Sequence, residues 1–232
     1  DPSLLPKHIL IIPDGNRRFS DTQGIDVEEG YKISMAHTIQ MARMLRGLGI
    51  DMISLWALSS DNIDKRKPEQ TQSLMQLLDE GIRSNLPELM QENVRVVHIG
   101  RKDRLTPELA GTLRHVEKVT AKNQGQKVCF AIDFGGRDQR LRMAQQLKED
   151  VLANPNLEIT HEYLESLRDG TGIVYPADMT IRTSEHRLSD IDWPASNAEL
   201  YFMVNSYFPQ LTPLAVLRKI KAYTQGQRRG GA

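Results

Sequence analysis

The chain has 232 residues, and its 30 lysines and arginines balance 30 aspartates and glutamates, so the formal net charge is zero. This length suits one domain covering 1–232, and the neutral balance gives no support to nucleic acid as a main partner. The single cysteine, Cys129, excludes an internal disulfide and zinc sites with Cys/His spacing. Because it lies in an apolar run, Cys129 is expected in the core, and the low cysteine usage favours a reducing compartment such as the cytoplasm.

A membrane-spanning helix is not expected, because no apolar stretch approaches the roughly 20 residues that such a helix needs. Residues 1–8 also lack the apolar segment of a signal peptide. A protein without an anchor can still lie against a membrane surface, so peripheral membrane contact stays within the prediction.

Short apolar runs alternate along the chain with longer segments of helical period. A long polar connection is predicted at 59–69. The predicted strands are 8–12, 52–58, 94–99, 128–132, 179–182 and 199–202. The predicted helices lie at 33–48, at 74–89, from the Thr106-Pro107 start signal onward, at 137–152 and at 214–223.

This alternation predicts an α/β fold with a central, mostly parallel six-stranded sheet flanked by helices. Ligands of such sheets bind beyond the carboxyl ends of the strands. The loops that follow strands are therefore the places to look for chemistry, namely 13–18, 59–66, 133–137 and 182–189.

The first of these loops has the sequence Asp14-Gly15-Asn16-Arg17-Arg18. Gly15 permits a tight turn with exposed amides, and the two arginines add charge-assisted donors for a phosphate. A following helix would point its amino terminus at the same anion. Asp14 is predicted to bind Mg²⁺, which takes one or two carboxylates and completes its shell with phosphate oxygens and water. The alternative is a type I turn with an aspartate cap and two solvated arginines.

The second loop contains Ser60 and Asn62, and a basic group that includes Arg66 follows. Hydroxyl, amide and cationic groups could surround a diphosphate, whereas the alternative is an ordinary polar loop before a capped helix.

The third loop holds Arg182, Arg187 and Ser189, a cluster suited to a second diphosphate. His186 in the same loop is a candidate ligand or proton carrier, although a lone histidine is more often structural. Glu199 lies in an apolar run, so it is expected to be partly buried and to need a partner, either an arginine of this loop or a metal. A structural ion pair is the equally weighted alternative.

Taken in order, these segments resemble the signature of the cis-prenyltransferases, the family of undecaprenyl and dehydrodolichyl diphosphate synthases. The segments are DGNRRF at 14–19, ALSSDN at 57–62, FGGR at 134–137, RT at 182–183, EHRLS at 185–189 and AELYF at 198–202. The resemblance implies a homodimer that condenses an allylic prenyl diphosphate with isopentenyl diphosphate, using Mg²⁺. It also implies a hydrophobic tunnel for the growing chain, with candidate liners Met41, Met44, Leu74, Leu77, Leu78 and Ile82.

The resemblance also implies roles for individual residues. Asp14 corresponds to the essential metal carboxylate, and 15–18 corresponds to the loop for the allylic diphosphate. The residues placed near the reacting centre are Asn16, Ser60 and Asn62. Those matched to the isopentenyl diphosphate clamp are Arg182, Arg187 and Ser189, and the further substrate-binding candidates are Tyr31 and Arg66.

Two further implied roles concern the dimer. Glu199 corresponds to a carboxylate tied to the metal and to the dimer. Arg229 matches the first residue of a C-terminal R-x-G element, so the tail 224–232 is expected to contact the partner subunit.

Several positions depart from the pattern of that family. Tyr31 replaces a usual histidine, Val27 a common arginine and Ile63 a usual tryptophan, while Ser184 stands where two glycines are common. The segment 190–194 is shortened and altered. We therefore hypothesise an unusual allylic substrate, acceptor or product, short or branched.

Two readings from other classes are a non-catalytic subunit of a prenyltransferase complex and a phosphate-binding module without prenyl chemistry. Retention of Asp14, Asn16 and Arg182 argues against the first.

Overall fold

The six predicted strands all form, and they pair in parallel within one sheet. The structure is a computed structural model that describes residues 2–226. The strands are β1 (His8–Ile12), β2 (Met52–Ser59), β3 (Arg95–Ile99), β4 (Lys127–Phe134), β5 (Met179–Thr183) and β6 (Glu199–Met203). The predicted fold class is therefore confirmed.

The strand order is β3-β4-β2-β1-β5-β6, so the chain builds one half of the sheet and then crosses to the other side of β1. In an open parallel sheet, such a change of direction leaves a crevice beyond the carboxyl ends of the strands. The crevice lies at the end of β1, where the loop that begins at Pro13 leaves the sheet.

Helices follow the strands and cover the sheet. They are α1 (Asn16–Gln23), α2 (Val27–Gly47), α3 (Ser60–Lys65), α4 (Pro68–Gln91), α5 (Pro107–Thr120), α6 (Gly136–Ala153), α7 (His161–Ser166) and α8 (Pro213–Gln225). The start signal at 106–107 is confirmed, because the Thr106 hydroxyl accepts a hydrogen bond from the Leu109 amide. The short α7 was not predicted, since six residues show too little periodicity.

The predicted connection at 59–69 is wrong, because most of it is helical. Ser59 caps α3 by accepting a hydrogen bond from the Asn62 amide, and Pro68 is the first residue of α4. A single polar turn of helix carries no apolar stripe, so its sequence resembles a loop.

Both faces of the sheet are buried. On one face, Ile9 and Ile11 of β1 pack with residues of α2 and α8, while α4 and α5 cover the neighbouring strands. On the other face, Leu10 and Ile12 pack with chain segments around 174–195. Cys129 is fully buried on that face, as the sequence predicted. Burial on both faces explains why β1 is an unbroken apolar run.

Candidate active site

A pocket of about 520 Å³ lies beyond the carboxyl ends of β1, β2 and β5. It gathers residues from the ends of these strands, from the loop after β5 and from helices α1 to α4, so distant parts of the sequence meet there. The predicted site residues that line it are Asp14, Gly15, Asn16, Arg17, Arg18, Tyr31, Ser60, Asn62, Arg66, Arg182, Arg187 and Ser189.

The Asp14 carboxylate points into this pocket and is held from two sides. Its Oδ1 accepts a hydrogen bond from the Gly15 amide at 2.7 Å, and its Oδ2 accepts one from Arg182 Nη2 at 2.8 Å. A second cation, Arg18 Nη2, lies 3.6 Å from Oδ1. The side chain keeps 35% of its surface exposed, so it remains open to a ligand.

The turn at Gly15 requires glycine. Its φ is +94°, and a Cβ there would lie 2.1 Å from the Ser184 hydroxyl oxygen and 2.7 Å from the Tyr207 ring. Behind the turn, the Asp14 carbonyl accepts hydrogen bonds from the Thr183 hydroxyl at 2.7 Å and the Phe208 amide at 3.1 Å. Two later chain segments thus fix the position of the turn.

Helix α1 begins at Asn16, so Arg17 and Arg18 form its first turn. Asn16 Nδ2 donates to the Pro13 carbonyl at 2.8 Å, while Oδ1 is buried without a partner among the described residues. Both arginines are exposed, and Arg18 donates to Glu185 at 3.0 Å. A helix amino terminus and two exposed cations at one pocket favour an anion.

Arg182 is only 4% exposed and connects two walls of the pocket. Besides Asp14, its Nη1 donates to the Arg187 carbonyl at 2.7 Å and to the Ser189 hydroxyl at 2.9 Å. Its buried Nε has no partner in the described part of the chain. The Arg187 side chain, by contrast, is 69% exposed and lies 3.6 Å from Glu185. The two arginines of the predicted clamp therefore differ: Arg182 is buried and makes three hydrogen bonds, whereas Arg187 is exposed.

Helix α3 brings Ser60 into the pocket beside the glycine pair that starts α6. Ser60 is 6% exposed, and its buried hydroxyl has no partner among residues 2–226. A Cβ on Gly135 would lie 3.3 Å from that hydroxyl, so glycine keeps the approach open. An unpartnered buried hydroxyl costs free energy, which is the expected signature of a group awaiting a ligand.

Tyr31 and Arg66 form the opposite rim. Arg66 Nη1 donates to the Tyr31 hydroxyl at 3.2 Å, which joins α2 to the segment between α3 and α4. Tyr31 is therefore one departure from the family pattern that reaches the pocket, and Asp190 of the altered segment 190–194 is another, whereas Val27 does not line it.

The expectation for Glu199 is wrong with respect to burial. It is exposed, because β6 is the edge strand of the sheet and one side of it is uncovered. It pairs with Met179, the first residue of β5, while Ile12 pairs with Arg182 three residues later. Within one chain, Glu199 therefore lies at the opposite end of the strands from the Asp14 loop. Its carboxylate instead accepts a hydrogen bond from the Tyr201 hydroxyl.

Three further residues remain, of which Arg229 and His186 were candidates from the sequence and Asp190 was not. Arg229 and residues 227–232 lie outside the described residues, so their predicted contact with a partner stays a prediction. His186 packs its ring on Phe202 at 4.6 Å, which is a structural contact. Asp190 was not predicted but lines the pocket, and its carboxylate accepts hydrogen bonds from the Arg137 amide at the start of α6. A carboxylate seven residues after Thr183 gave no recognisable signal by itself.

Two small, mostly apolar cavities lie between α2 and α4 and over β2 and β4, and the first of them adjoins the pocket. Their volumes are about 60 and 70 Å³. The first shares Asn16, Tyr31 and Leu74 with the polar pocket, and both are lined by Met35. Met35 lies against Gly81 of α4, where a Cβ would be 2.9 Å from its sulfur. The glycine thus lets this side chain lie between the two cavities.

A few of the predicted tunnel liners reach these cavities. Leu74 and Leu78 line the first cavity, and Ile82 lines the second. Met41 instead belongs to the core between α2 and the sheet, and Met44 packs against that core.

The protein supplies few metal ligands in this region. Among the described residues, no group of three or more histidine, cysteine, aspartate or glutamate side chains could hold a metal ion. Asp14, flanked by Arg18 and Arg182, fits Mg²⁺ in the mode where phosphate oxygens and water complete the shell. Within residues 2–226, every helix is too short or too polar to span a lipid bilayer.

A family model described as "Putative undecaprenyl diphosphate synthase" matches residues 12–231. The chain belongs to the cis-prenyltransferase family. It is 34% identical to an isoprenyl transferase of Rhizobium meliloti over 236 aligned residues, which cover 100% of this chain and 94% of that protein. The prenyltransferase class predicted from the motifs is therefore confirmed.

Solved structures agree with this assignment. The crystal structure of lavandulyl diphosphate synthase from Lavandula x intermedia, in complex with dimethylallyl diphosphate, matches with a TM-score of 0.91 at 26% identity, over 99% of this chain and 100% of that one. A probable undecaprenyl diphosphate synthase from Campylobacter jejuni matches with a TM-score of 0.78 at 26% identity, over 98% and 99% of the two chains. The cis-prenyltransferase fold is thus shared over the whole length.

Proposed function

We propose that this cis-prenyltransferase is a Mg²⁺-dependent enzyme that joins an allylic prenyl diphosphate to isopentenyl diphosphate, forms a cis double bond and releases diphosphate. The observation that carries this proposal is an arginine-lined polar pocket that adjoins an apolar cavity, with a second apolar cavity beside the first. A prenyl diphosphate has the same division, with a polyanionic head and an apolar tail. The pocket therefore matches the substrate class in both charge and polarity.

The allylic diphosphate is assigned to the turn at Gly15 and the first turn of α1. There the helix amino terminus and the exposed Arg17 and Arg18 offer amide and guanidinium donors. Its apolar tail would pass Tyr31 and Leu74 into the first apolar cavity.

Asp14 would hold the magnesium ion together with oxygens of the bound diphosphate. The ion, when bound, neutralises negative charge on the departing diphosphate. Because Asp14 is already bonded to Arg182, a metal without diphosphate would meet a positive environment. We therefore expect the ion to bind together with the substrate rather than before it.

Isopentenyl diphosphate is assigned to the wall made by Arg182, Arg187 and Ser189. The exposed Arg187 can turn toward a diphosphate, while Arg182 fixes the backbone and hydroxyl beside it. The two diphosphates would then flank Asn16 and Ser60, whose buried oxygens have no partner among the described residues.

The reaction needs positioning and charge stabilisation rather than a protein nucleophile. The allylic C–O bond breaks and its electrons leave with the diphosphate. The alkene of isopentenyl diphosphate then attacks the allylic cation, and the resulting carbocation loses a proton to the released diphosphate, which forms the new double bond of the product. Donors fixed around the leaving group lower this barrier because they are already oriented before charge develops.

The apolar cavities favour a short product. An apolar cavity of roughly 150 Å³ holds one benzene molecule. Cavities of about 60 and 70 Å³ are each less than half of that, and Met35 lies between them. Neither cavity, as it stands, holds a full five-carbon unit, so elongation would stop after few additions.

A second candidate is condensation of two allylic diphosphates to a branched product. Its support is the TM-score of 0.91 to lavandulyl diphosphate synthase, against 0.78 for the probable undecaprenyl diphosphate synthase at equal identity. In that case dimethylallyl diphosphate would occupy both halves of the pocket.

A homodimer also belongs to this proposal. The uncovered edge of β6 exposes Leu200, and Val204 beyond it is also exposed, which favours a partner at this edge. A second subunit there would cover Glu199 and give the tail that contains Arg229 a surface to contact. Peripheral contact with a membrane that takes up the product is proposed on the same chemical ground, a lipid-like product.

The test is incubation of the purified protein with Mg²⁺, isopentenyl diphosphate and allylic diphosphates of five, ten and fifteen carbons, with products sized by mass spectrometry. We expect short products that require both substrates and disappear with excess chelator. Product from dimethylallyl diphosphate alone would favour the second candidate. Absence of turnover with every pair would contradict both, provided that the purified protein is folded by circular dichroism.

A further inference from the structure

Arg104 connects three parts of the molecule without lining the pocket itself. It lies in the loop between β3 and α5, and its guanidinium forms a bidentate ion pair with the Asp133 carboxylate through Nε and Nη2. Its remaining Nη1 donates to Asp64 Oδ1 of α3 at 2.7 Å. One planar group thus spans from the end of a strand to a helix that lines the pocket.

The Asp133 end of this connection is rigid. Asp133 is fully buried and has φ +51°, a left-handed backbone that residues other than glycine adopt rarely. Its carbonyl accepts a hydrogen bond from the Arg101 amide at 3.1 Å. The pairing of β2 with β4 shifts register just before this point, between Trp56 and Ser59. Arg104 is therefore anchored where the two strands leave regular pairing.

The other end of this connection is α3, which contributes residues to the pocket. Ser60, Asp61 and Asn62 of this helix all line the pocket. α3 has only six residues, and a helix of that length is not stable by itself. Among the side-chain hydrogen bonds of the described residues, the one from Arg104 to Asp64 ties α3 to a distant part of the chain. The other side-chain bonds of the helix are local, from Lys65 to Asp61 and from the Asn62 amide to Ser59.

We propose that Arg104 is a positioning residue, which holds α3 against the end of β4 so that Ser60 and Asn62 face the bound substrates. This inference rests on the proposed function, since it assumes that α3 borders the reacting centre. The role is separate from folding, because the buried pair with Asp133 stabilises the strand end, whereas the link to Asp64 orients the helix.

The two links can be separated experimentally at Asp64. Its side chain is 55% exposed, so Asp64→Ala leaves the buried Arg104–Asp133 pair intact and removes only the tie to α3. The matched control is Glu28→Ala, which removes a carboxylate that is 59% exposed and paired with Lys32 on α2, away from the pocket lining.

The measurements are kcat at saturating substrates, thermal unfolding, and amide hydrogen exchange of residues 60–66. For Asp64→Ala we expect kcat to fall about threefold to fivefold, which corresponds to the free energy that an exposed ion pair contributes. We also expect faster amide hydrogen exchange in α3. Both variants should unfold within about 2 °C of the wild type. Glu28→Ala should keep the wild-type kcat and α3 exchange, and Asp64→Glu should recover part of the loss.

A second variant, Arg104→Lys, keeps a positive charge beside the buried Asp133 but removes the planar fork. If Arg104 acts through Asp64, adding Asp64→Ala to Arg104→Lys should lower kcat no further. Wild-type kcat and α3 exchange in Asp64→Ala would overturn the inference. A wild-type enzyme without turnover would instead overturn the proposed function, and the exchange data would still decide whether Arg104 holds α3.

Discussion

Arg182 Nη2 lies 2.8 Å from Asp14 Oδ2, although 168 positions separate the two residues in the chain. The pairing follows from the parallel alignment of β1 and β5, in which Ile12 and Arg182 are register partners. The same guanidinium also holds Arg187 and Ser189, so one buried cation fixes both diphosphate-facing walls. The pocket is therefore preorganised by an internal ion pair before any substrate enters.

This arrangement predicts that the two arginines of the proposed clamp respond differently to substitution. Arg182→Lys should lower kcat/KM at least about 100-fold and lower the melting temperature, because a single ammonium cannot reach three acceptors. Arg187→Lys should raise the KM for isopentenyl diphosphate by about tenfold or less and leave the melting temperature unchanged, since this side chain is exposed. Steady-state kinetics and thermal melts check both, and equal effects of the two variants would contradict the distinction.

Ser60 should show the opposite pattern from its neighbour Ser59. Ser60→Ala removes a buried hydroxyl without a partner among the described residues, so stability should stay unchanged or rise, while kcat/KM falls roughly tenfold. Ser59→Ala removes the cap of α3 and should cost about 1 kcal/mol of unfolding free energy. Urea unfolding with parallel assays measures both quantities, and a loss of stability in Ser60→Ala would show that its hydroxyl is structural.

Met35 should set the length of the product. Met35→Ala would join the two apolar cavities and is expected to shift the product distribution upward by at least one five-carbon unit. Gly81→Ala would push the Met35 side chain into the passage and should shorten the product or slow the last addition. Met44→Ala is the control, since Met44 packs against the core and not against the cavities. If all three variants gave the same product profile as the wild-type enzyme, Met35 would be excluded as the length-determining residue.

Two buried histidines predict a loss of stability in mild acid. Burial lowers the pKa of His8 and of His98 to about 4, from 6.5 for the free side chain. Below pH 6.5 the unfolded chain binds protons that the folded protein does not, so stability falls from pH 6.5 toward pH 4 and levels off below. Each histidine should cost about 2 kcal/mol of unfolding free energy at pH 5 relative to pH 7.

The measurement is urea unfolding at pH 7 and pH 5. His98→Gln should remove part of this pH dependence, and His115→Gln, at an exposed position of α5, should leave it intact. A wild-type protein equally stable at both pH values would contradict the prediction.

The sequence alone determined the parallel sheet. Short unbroken apolar runs such as 8–12 are typical of strands that are buried on both faces, and strands buried in this way belong to parallel sheets covered by helices. It also located the pocket, since loops that follow parallel strands share one edge, and the residues predicted there from 14–18 and 182–189 do meet. Neither conclusion needed knowledge of how the helices pack.

The tertiary structure decided the features that depend on distant contacts. Glu199 lies in an apolar run, yet it is exposed, because the local pattern does not show which strand ends at the sheet edge. α3 has no apolar stripe and is held by Arg104 from the next strand connection. The size of the apolar cavities depends on Met35 lying in the space that Gly81 leaves. Hydrophobic period encodes which face of an element is buried, whereas ion pairs and cavity walls arise only when separate elements meet in space.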